Sequence, residues 1–471
     1  MAIPLVLLHG YHSEGKTFDA WRKILDGRGF KVEDIFIGNY VTENNEINVD
    51  DIAEGFDRAL RLRGMADKPF DIVVHSTGML VLRAWLTAPG AVVKTPDGKV
   101  KKLRQSLLKH LIGLAPATNG SPVAPKGRSL LGRIFLGKHE LGPDFLASGN
   151  LVLNNLELAS KYTWDLAHKD LFVDPPFYDS EPETPYVFIF DGTSDLGDIS
   201  KIFDSNDQLG TDGIVRWAGA PLNSRKIVLD FTRTPSNPDR FEWTDWVNVN
   251  LPLIPIAGVN HTQILSNPPA GLQDLVVAAL GVNSSDAFKN FYEQARKTQV
   301  VIDGHAKIEP DPWQQFVVHA VDERGNGIDD FSIEVLLRDA SNKDNPISTF
   351  EDEVHPYSLD KSFRCFHVRL KDAPLAQFSA PGNKVVVRFR ASSGTDVISY
   401  EGFNTPNPAP RPAGQPAPEF VELDITSNAL NPDKKLFFPF TTTFLEVRLN
   451  REPVPQESPL TDYEIFQFLA K

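Results

Sequence analysis

The sequence predicts an α/β fold, a mostly parallel sheet with helices on both faces and a cap insertion, followed by an all-β sandwich. Three observations predict it. Through about residue 290, short apolar runs alternate with helix-like segments, the rhythm of a parallel sheet wrapped by helices. Beyond residue 295 apolar residues recur at every second position, the period of half-buried strands. At 471 residues the chain exceeds what one ordinary core supports. Two domains are therefore expected, at 1–292 and 297–471.

In the first domain, strands are expected at Pro4–Leu8, Val32–Ile37, Phe70–Val74, His110–Leu114, Tyr186–Phe190 and Lys226–Phe231. They are short and rich in Val, Ile and Leu, as strands buried on both faces are. Helices are expected at Thr17–Leu25, Asp51–Arg63, Met79–Ala88 and Leu272–Leu280. Between Leu114 and Tyr186 about seventy residues carry no core strand. A segment of this kind, at about 116–185 and with a helical run at Leu151–His168, reads as a cap over a site. Its Phe135, Phe145, Tyr162, Trp164 and Phe172 either line an apolar substrate pocket or form the cap's own small core. Phe135 and Trp164 are the pocket candidates, together with His12, for which a surface role is an equal reading.

In the second domain the period-two runs are Gln315–Val321, Phe331–Leu337, Phe363–Leu370, Lys384–Arg390, Phe420–Ile425 and Thr443–Leu449. Turn signals such as Arg324-Gly325-Asn326-Gly327 separate them. The proline-rich stretch Asn404–Pro418 reads as a long, extended inter-strand loop.

Composition narrows the partners. Hydrophobic content of 41% and charged content of 23% are those of a globular protein. A net charge of −14 argues against nucleic acid, whose phosphates would repel it. The basic cluster between Lys94 and Lys109 surrounds a Pro-Asp-Gly turn and reads as a solvated loop. Cys365 is the only cysteine, so no intrachain disulfide is possible. The opening residues, Met1 to Leu8, lack a positive leader and a small-residue cleavage site and read as a first core strand. No apolar run approaches the roughly 18 residues of a membrane span. The expected location is cytoplasmic, or outside the cell by a route that needs no cleaved signal.

One turn carries chemistry. In Asp71-Ile72-Val73-Val74-His75-Ser76-Thr77-Gly78 an apolar strand enters a sharp corner and a helix leaves it, with Ser76 at the apex. Such a corner exposes the serine oxygen to a histidine arriving from elsewhere. A serine hydroxyl is a poor nucleophile alone and needs a base, a carboxylate to orient the base, and donors for the oxyanion. His261 follows the apolar run Ile254–Val259 and stands in a loop past a strand end, where a base belongs; His305, His319, His355 and His367 fall in the β domain. For the acid, Asp191, Asp195 and Asp198 follow the strand Tyr186–Phe190, and Asp212 comes later in Gly210-Thr211-Asp212-Gly213. Position alone does not choose between Asp195 and Asp212. The backbone N–H groups of Tyr11, after His9-Gly10, and of Thr77 are the oxyanion candidates. Asp191, Asp195, Asp198, Asp204 and Asp207 crowd the segment 191–207, but their spacing matches no EF-hand. They read as a solvated acidic loop, and no metal or cofactor is expected.

Over its first 290 residues or so the chain resembles the α/β-hydrolase family, more narrowly its lipase and carboxylesterase branch. The matching residues are Leu7-Leu8-His9-Gly10, Val74-His75-Ser76-Thr77-Gly78, Thr211-Asp212-Gly213-Ile214-Val215 and Asn260-His261. Leu114 to Pro122 also resembles lipase sequences entering their cap. Many lipases hold their catalytic acid in an Asp-Gly motif like that at Asp212, so the resemblance implies Asp212 as the acid, with Asp195 the alternative. It implies a serine carboxylic-ester hydrolase, a lipase, phospholipase or esterase acting on an ester or lipid. One residue departs from the family pattern: Val74 stands where Gly-x-Ser-x-Gly has its first glycine. Val74 is the only support for the rival reading, a non-catalytic binding protein on the same fold. A third reading is a phospholipase effector of bacterial antagonism, exported without a signal peptide. The sandwich is expected to bind a lipid surface, a polymer or a delivery partner, or to serve as a structural companion.

Overall fold

The computed structural model describes residues 3–10, 18–35, 46–96, 99–126, 150–179, 183–196, 209–247, 253–298, 311–347, 354–371, 380–403, 419–429, 431 and 435–454. Tyr11, His12, Phe135, the proline-rich stretch and Asp198, Asp204 and Asp207 lie outside the described residues. The chain forms two compact units that are not consecutive in sequence. The first comprises Met1–Ser224, Val247–Trp313 and Phe440–Thr442; the second comprises Arg225–Trp246, Gln314–Pro439 and Thr443–Lys471. This differs from the expected linear division: residues 225–246 belong with the second unit, and the first extends beyond 292.

The first unit opens with β1 (Pro4–Leu8), α1 (Asp19–Gly27), β2 (Lys31–Ile35), α2 (Val49–Leu62), β3 (Phe70–Ser76) and α3 (Gly78–Thr87). A short hairpin, β4 (Val92–Lys94) and β5 (Val100–Lys102), precedes β6 (Leu108–Pro116). Two helices follow, α4 (Asn150–Leu156) and α5 (Lys161–Asp170), then β7 (Tyr186–Gly192). The chain then enters the second unit with β8 (Ser224–Asp230) and β9 (Phe241–Trp243), and returns for β10 (Leu253–Ile256). Helices α6 (Gln263–Ser266), α7 (Ala270–Leu280) and α8 (Ser285–Thr298) end the run.

Six strands form one sheet in the order β2-β1-β3-β6-β7-β10. Every pairing in it is parallel. Strand β3 is buried at all seven positions and β7 likewise, which fits their continuous apolar sequence. Helix α3 packs against both α2 and α5, and α1 packs with α6. Helix α2 begins with a capping box, in which Asn48 accepts from the Asp51 N–H and Asp51 accepts from the Asn48 N–H. The run expected as one helix over Leu151–His168 is two. Ala159 has a φ of +57°, and the Ser160 hydroxyl caps α5 by accepting from Thr163 N at 3.1 Å. Helix α8, not expected, stacks Phe291 edge-on against Phe188 of β7 at 4.7 Å between centroids.

The second unit adds β11 (Trp313–Asp322), β12 (Asp330–Arg338), β13 (Asp344–Pro346), β14 (Val354–Pro356), β15 (Phe363–Arg369), β16 (Lys384–Ser392), β17 (Ile398–Glu401), β18 (Val421–Asp424), α9 (Thr426–Ala429) and β19 (Thr441–Pro453). One sheet runs β14-β15-β11-β19-β8-β9 with β17 against β19; the other runs β13-β12-β16-β18. Their apolar sides share one core, which includes Phe316, Ile333, Val387 and Val447. The strand expected at Lys226–Phe231 in the parallel sheet is therefore reassigned: it is β8, antiparallel to β9. The reason is its period. Ile227, Leu229 and Phe231, every second residue, enter the sandwich core beside Trp243, as a one-sided strand requires. Among the described residues no helix is long and apolar enough to cross a membrane.

Candidate active site

Ser76 ends β3 and has a φ of +53°, a left-handed conformation that costs a non-glycine residue about 1–3 kcal/mol. Close packing maintains it. A Cβ on Gly78, two residues on, would stand 2.7 Å from the carbonyl oxygen of Leu8 in β1. A Cβ on Gly10 would stand 3.0 Å from the Ser76 Cβ and the Thr77 nitrogen. Glycine at these two positions lets the end of β1 lie against the corner. Val74, the departure from the usual pattern, is fully buried in β3, and its register partner on β6 is Gly113. Paired residues of parallel neighbours share a face, so the small residue stands on the adjacent strand.

His261 follows β10 in a loop that turns at Gly258, with φ +77°. Its Nδ1 lies 2.6 Å from Oδ2 of Asp212, both side chains fully buried. Donation of Nδ1–H to the carboxylate leaves the basic lone pair on Nε2. The Asp212 loop is built to present that oxygen. Its other oxygen, Oδ1, accepts from the N–H groups of Ile214 at 2.9 Å and Val215 at 2.8 Å. Gly213 takes φ +99°, where a Cβ would collide with Leu196. The main chains join as well, through His261 N–H to the Asp212 carbonyl at 3.0 Å. Burial alone would raise the Asp212 pKa, but His261, Asp191 and the Val215 N–H hold it below its ordinary value.

His75 ties this pair to the serine corner. Its Nε2–H donates to the His261 carbonyl at 3.0 Å. Burial, with repulsion from His261, pushes the His75 imidazole well below its ordinary pKa, so it is neutral. Thr77, the first residue past the serine, is buried at the entrance to α3, and its Oγ1 has no hydrogen-bond partner among the described residues. The positive end of the α3 dipole lies here, where it favours a developing anion.

Asp195 does not meet His261 in this way: it is exposed, and its carbonyl accepts from Asn260 Nδ2 at 3.1 Å. Asp191, read with the acidic segment as solvated, is instead fully buried beside Asp212. Trp164, a pocket candidate, packs on His168 at 5.1 Å between ring centroids, and His168 packs on Phe172. Sequence reasoning did not reach His75, since a histidine beside a serine has no motif of its own. Nor did it reach Arg83, which is fully buried on α3 and paired with Asp170 of α5. Among the described residues no cluster of three or more His, Cys, Asp or Glu side chains is arranged to hold a metal.

No protein-family profile matches the chain, and no curated protein sequence matches it. Its similarity is to solved structures. Phospholipase PlaB from Legionella pneumophila superposes with a TM-score of 0.69 at 19% identity, over 98% of this chain and 97% of that one. The same protein in complex with thio-NAD superposes at 0.68 and 18% identity, with the same coverage. The chain therefore shares the fold of that structure along nearly its whole length, the parallel sheet with its helices together with the β unit.

Proposed function

We propose that this protein, an α/β-hydrolase by fold, is a serine carboxylic-ester hydrolase of lipase, phospholipase or esterase type. The observation that carries the reading is the buried Asp212–His261 pair, 2.6 Å apart, bound through His75 to the strained corner at Ser76. In this reading Ser76 Oγ attacks the ester carbonyl and His261 Nε2 takes its proton. The carbonyl oxygen becomes an oxyanion, held by the Thr77 N–H and, on the sequence expectation, by that of Tyr11. His261 then protonates the departing alcohol, and water cleaves the acyl-enzyme by the same route. Asp212 holds the imidazole in its tautomer and offsets the charge it gains. Each oxyanion donor is worth on the order of 10²–10³ in turnover. Full-length similarity to a structure named a phospholipase supports the lipid end of the substrate class.

Ser76→Ala tests the reading. Wild type should hydrolyse short p-nitrophenyl esters, and the variant, equally folded, should lose about 10⁶ in kcat. Equal rates for the two folded proteins would end the proposal. A panel from soluble esters to long-chain triglyceride and phospholipid then sorts esterase from lipase and phospholipase.

A further inference from the structure

We infer that Asp191 is a neutral carboxylic acid whose O–H donates to Asp212, making it a positioning residue for the carboxylate that faces His261. The inference rests on the reading of Asp212 as the acid of the site.

Asp191 stands where the two loops of the pair cross. It lies at the end of β7, in register with Pro255 of β10. The chain leading to His261 passes directly over the next residue, where a Cβ on Gly192 would stand 2.4 Å from the Val259 carbonyl. Thr193 N–H donates to Ile256 and Ser194 N–H to Val259, at 3.1 and 3.0 Å. From the other side, Trp217 of the Asp212 loop donates its indole N–H to the Gly192 carbonyl at 2.9 Å.

The donor arrangement places the proton. Asp191 Oδ1 accepts from Gly192 N–H at 2.8 Å. Its Oδ2 receives no donor among the described residues, and the Asp212 carboxylate is the charge that acts on this buried side chain. Asp212 faces three N–H donors, from Ile214, Val215 and His261. Two ionised carboxylates in contact and away from water repel strongly, so such a pair keeps one proton. The proton resides on the partner with fewer donors, which is Asp191. Its O–H then gives Asp212 a fourth donor and leaves a single negative charge facing His261. Among the described residues His261 stands next to the pair, with His75 beyond it and His9 beyond His75. Burial first, then the Asp212 charge, hold Asp191 well above the ordinary carboxyl range.

Two substitutions and one spectrum test this. Asp191→Asn keeps a neutral side chain with an N–H to give, and kcat should stay within about threefold of wild type. Asp191→Leu has similar bulk and no donor, and should lower kcat about 10- to 100-fold with KM nearly unchanged, the scale of a misplaced catalytic group. An Asp191→Asn loss as large as that of Asp212→Asn would place the charge on Asp191 and overturn the inference. Full activity in a folded Asp191→Leu would overturn it as well. The infrared difference between wild type and Asp191→Asn at about pH 8, where other carboxyls are ionised, should show the carbonyl band of a protonated carboxylic acid. Its absence refutes the neutral Asp191 whatever the turnover. The hydrolase reading is decided separately, by Ser76→Ala.

Discussion

The ring of His75 donates from Nε2 to the main-chain carbonyl of His261 at 3.0 Å, and the two rings stand 4.6 Å apart. The residue that precedes Ser76 thus holds the backbone of His261, the histidine proposed to take the serine proton. His261 is held at three points: its N–H by the Asp212 carbonyl, its Nδ1 by the Asp212 carboxylate, its carbonyl by His75. Strand β3 and the loop after β10 come from distant parts of the chain, so their relative placement depends on such cross-links.

His75→Phe removes one of them and keeps the ring. The buried His261 carbonyl then lacks its donor, at a cost of about 1–3 kcal/mol in stability. The expected effect on turnover is a kcat lowered about 10- to 100-fold, with KM little changed, since positioning and not substrate contact is lost. Steady-state kinetics on a soluble ester, with thermal unfolding alongside, checks both. A variant as active and as stable as wild type would show that the hydrogen bond positions nothing.

Asp212→Asn should cost about 10⁴ in kcat, because an amide stabilises the wrong tautomer of the histidine and cannot offset the imidazolium. Asp195→Asn, at an exposed position, should stay within a few-fold of wild type. Parallel kinetics of the two variants decides the acid, and the reverse pattern would move the role to Asp195.

What could be read beforehand, and what could not, follows from the range of the interactions. Strands β1, β3, β6 and β7 are continuous apolar runs because both faces are covered, and the corner at Ser76 is a local signal between Ile72-Val73-Val74 and a helix. Strand β8 misled because Ile227, Leu229 and Phe231 satisfy either sheet; its sheet is chosen by Trp243 and by core residues more than a hundred positions later. The choice of acid required knowing which loop returns to His261. Asp191 looked like one of several acidic loop residues until β10 and the Asp212 loop closed over it.

The Arg83–Asp170 pair is a second arrangement no local pattern discloses. Arg83 donates to Asp170 through Nε at 2.7 Å and Nη2 at 2.8 Å, and through Nη1 to the Thr118 carbonyl. Tyr178 adds its O–H to the same carboxylate at 3.0 Å. The pair ties α3, the helix that begins at the serine corner, to α5. Asp170→Asn leaves a buried guanidinium without its counter-charge and should cost about 3–5 kcal/mol. Tyr178→Phe should cost about 1 kcal/mol. The double variant Arg83→Met, Asp170→Leu should recover much of the first loss, because burying neither charge avoids their desolvation. Urea unfolding of the set measures this, and equal stability of Asp170→Asn and wild type would contradict it.

Acid should unfold the protein in part through His9. Its ring is buried, donates Nδ1–H to the Gly10 carbonyl at 3.1 Å, and has a pKa pushed down by burial from 6.5 to about 4. In the unfolded chain it titrates near the ordinary value, so between these two pH values the unfolded state binds a proton that the folded state refuses. Folding stability therefore falls as pH falls through that window, by on the order of 3 kcal/mol for this group, and is unaffected by it above. His75, also buried and lowered, acts in the same direction. Unfolding free energies measured across the window should lose up to about 1.4 kcal/mol per pH unit of slope when His9 is replaced by Asn. Comparing variant with wild type subtracts the carboxylates that titrate over the same range. Parallel curves for the two proteins would mean that His9 takes up its proton without unfolding the chain.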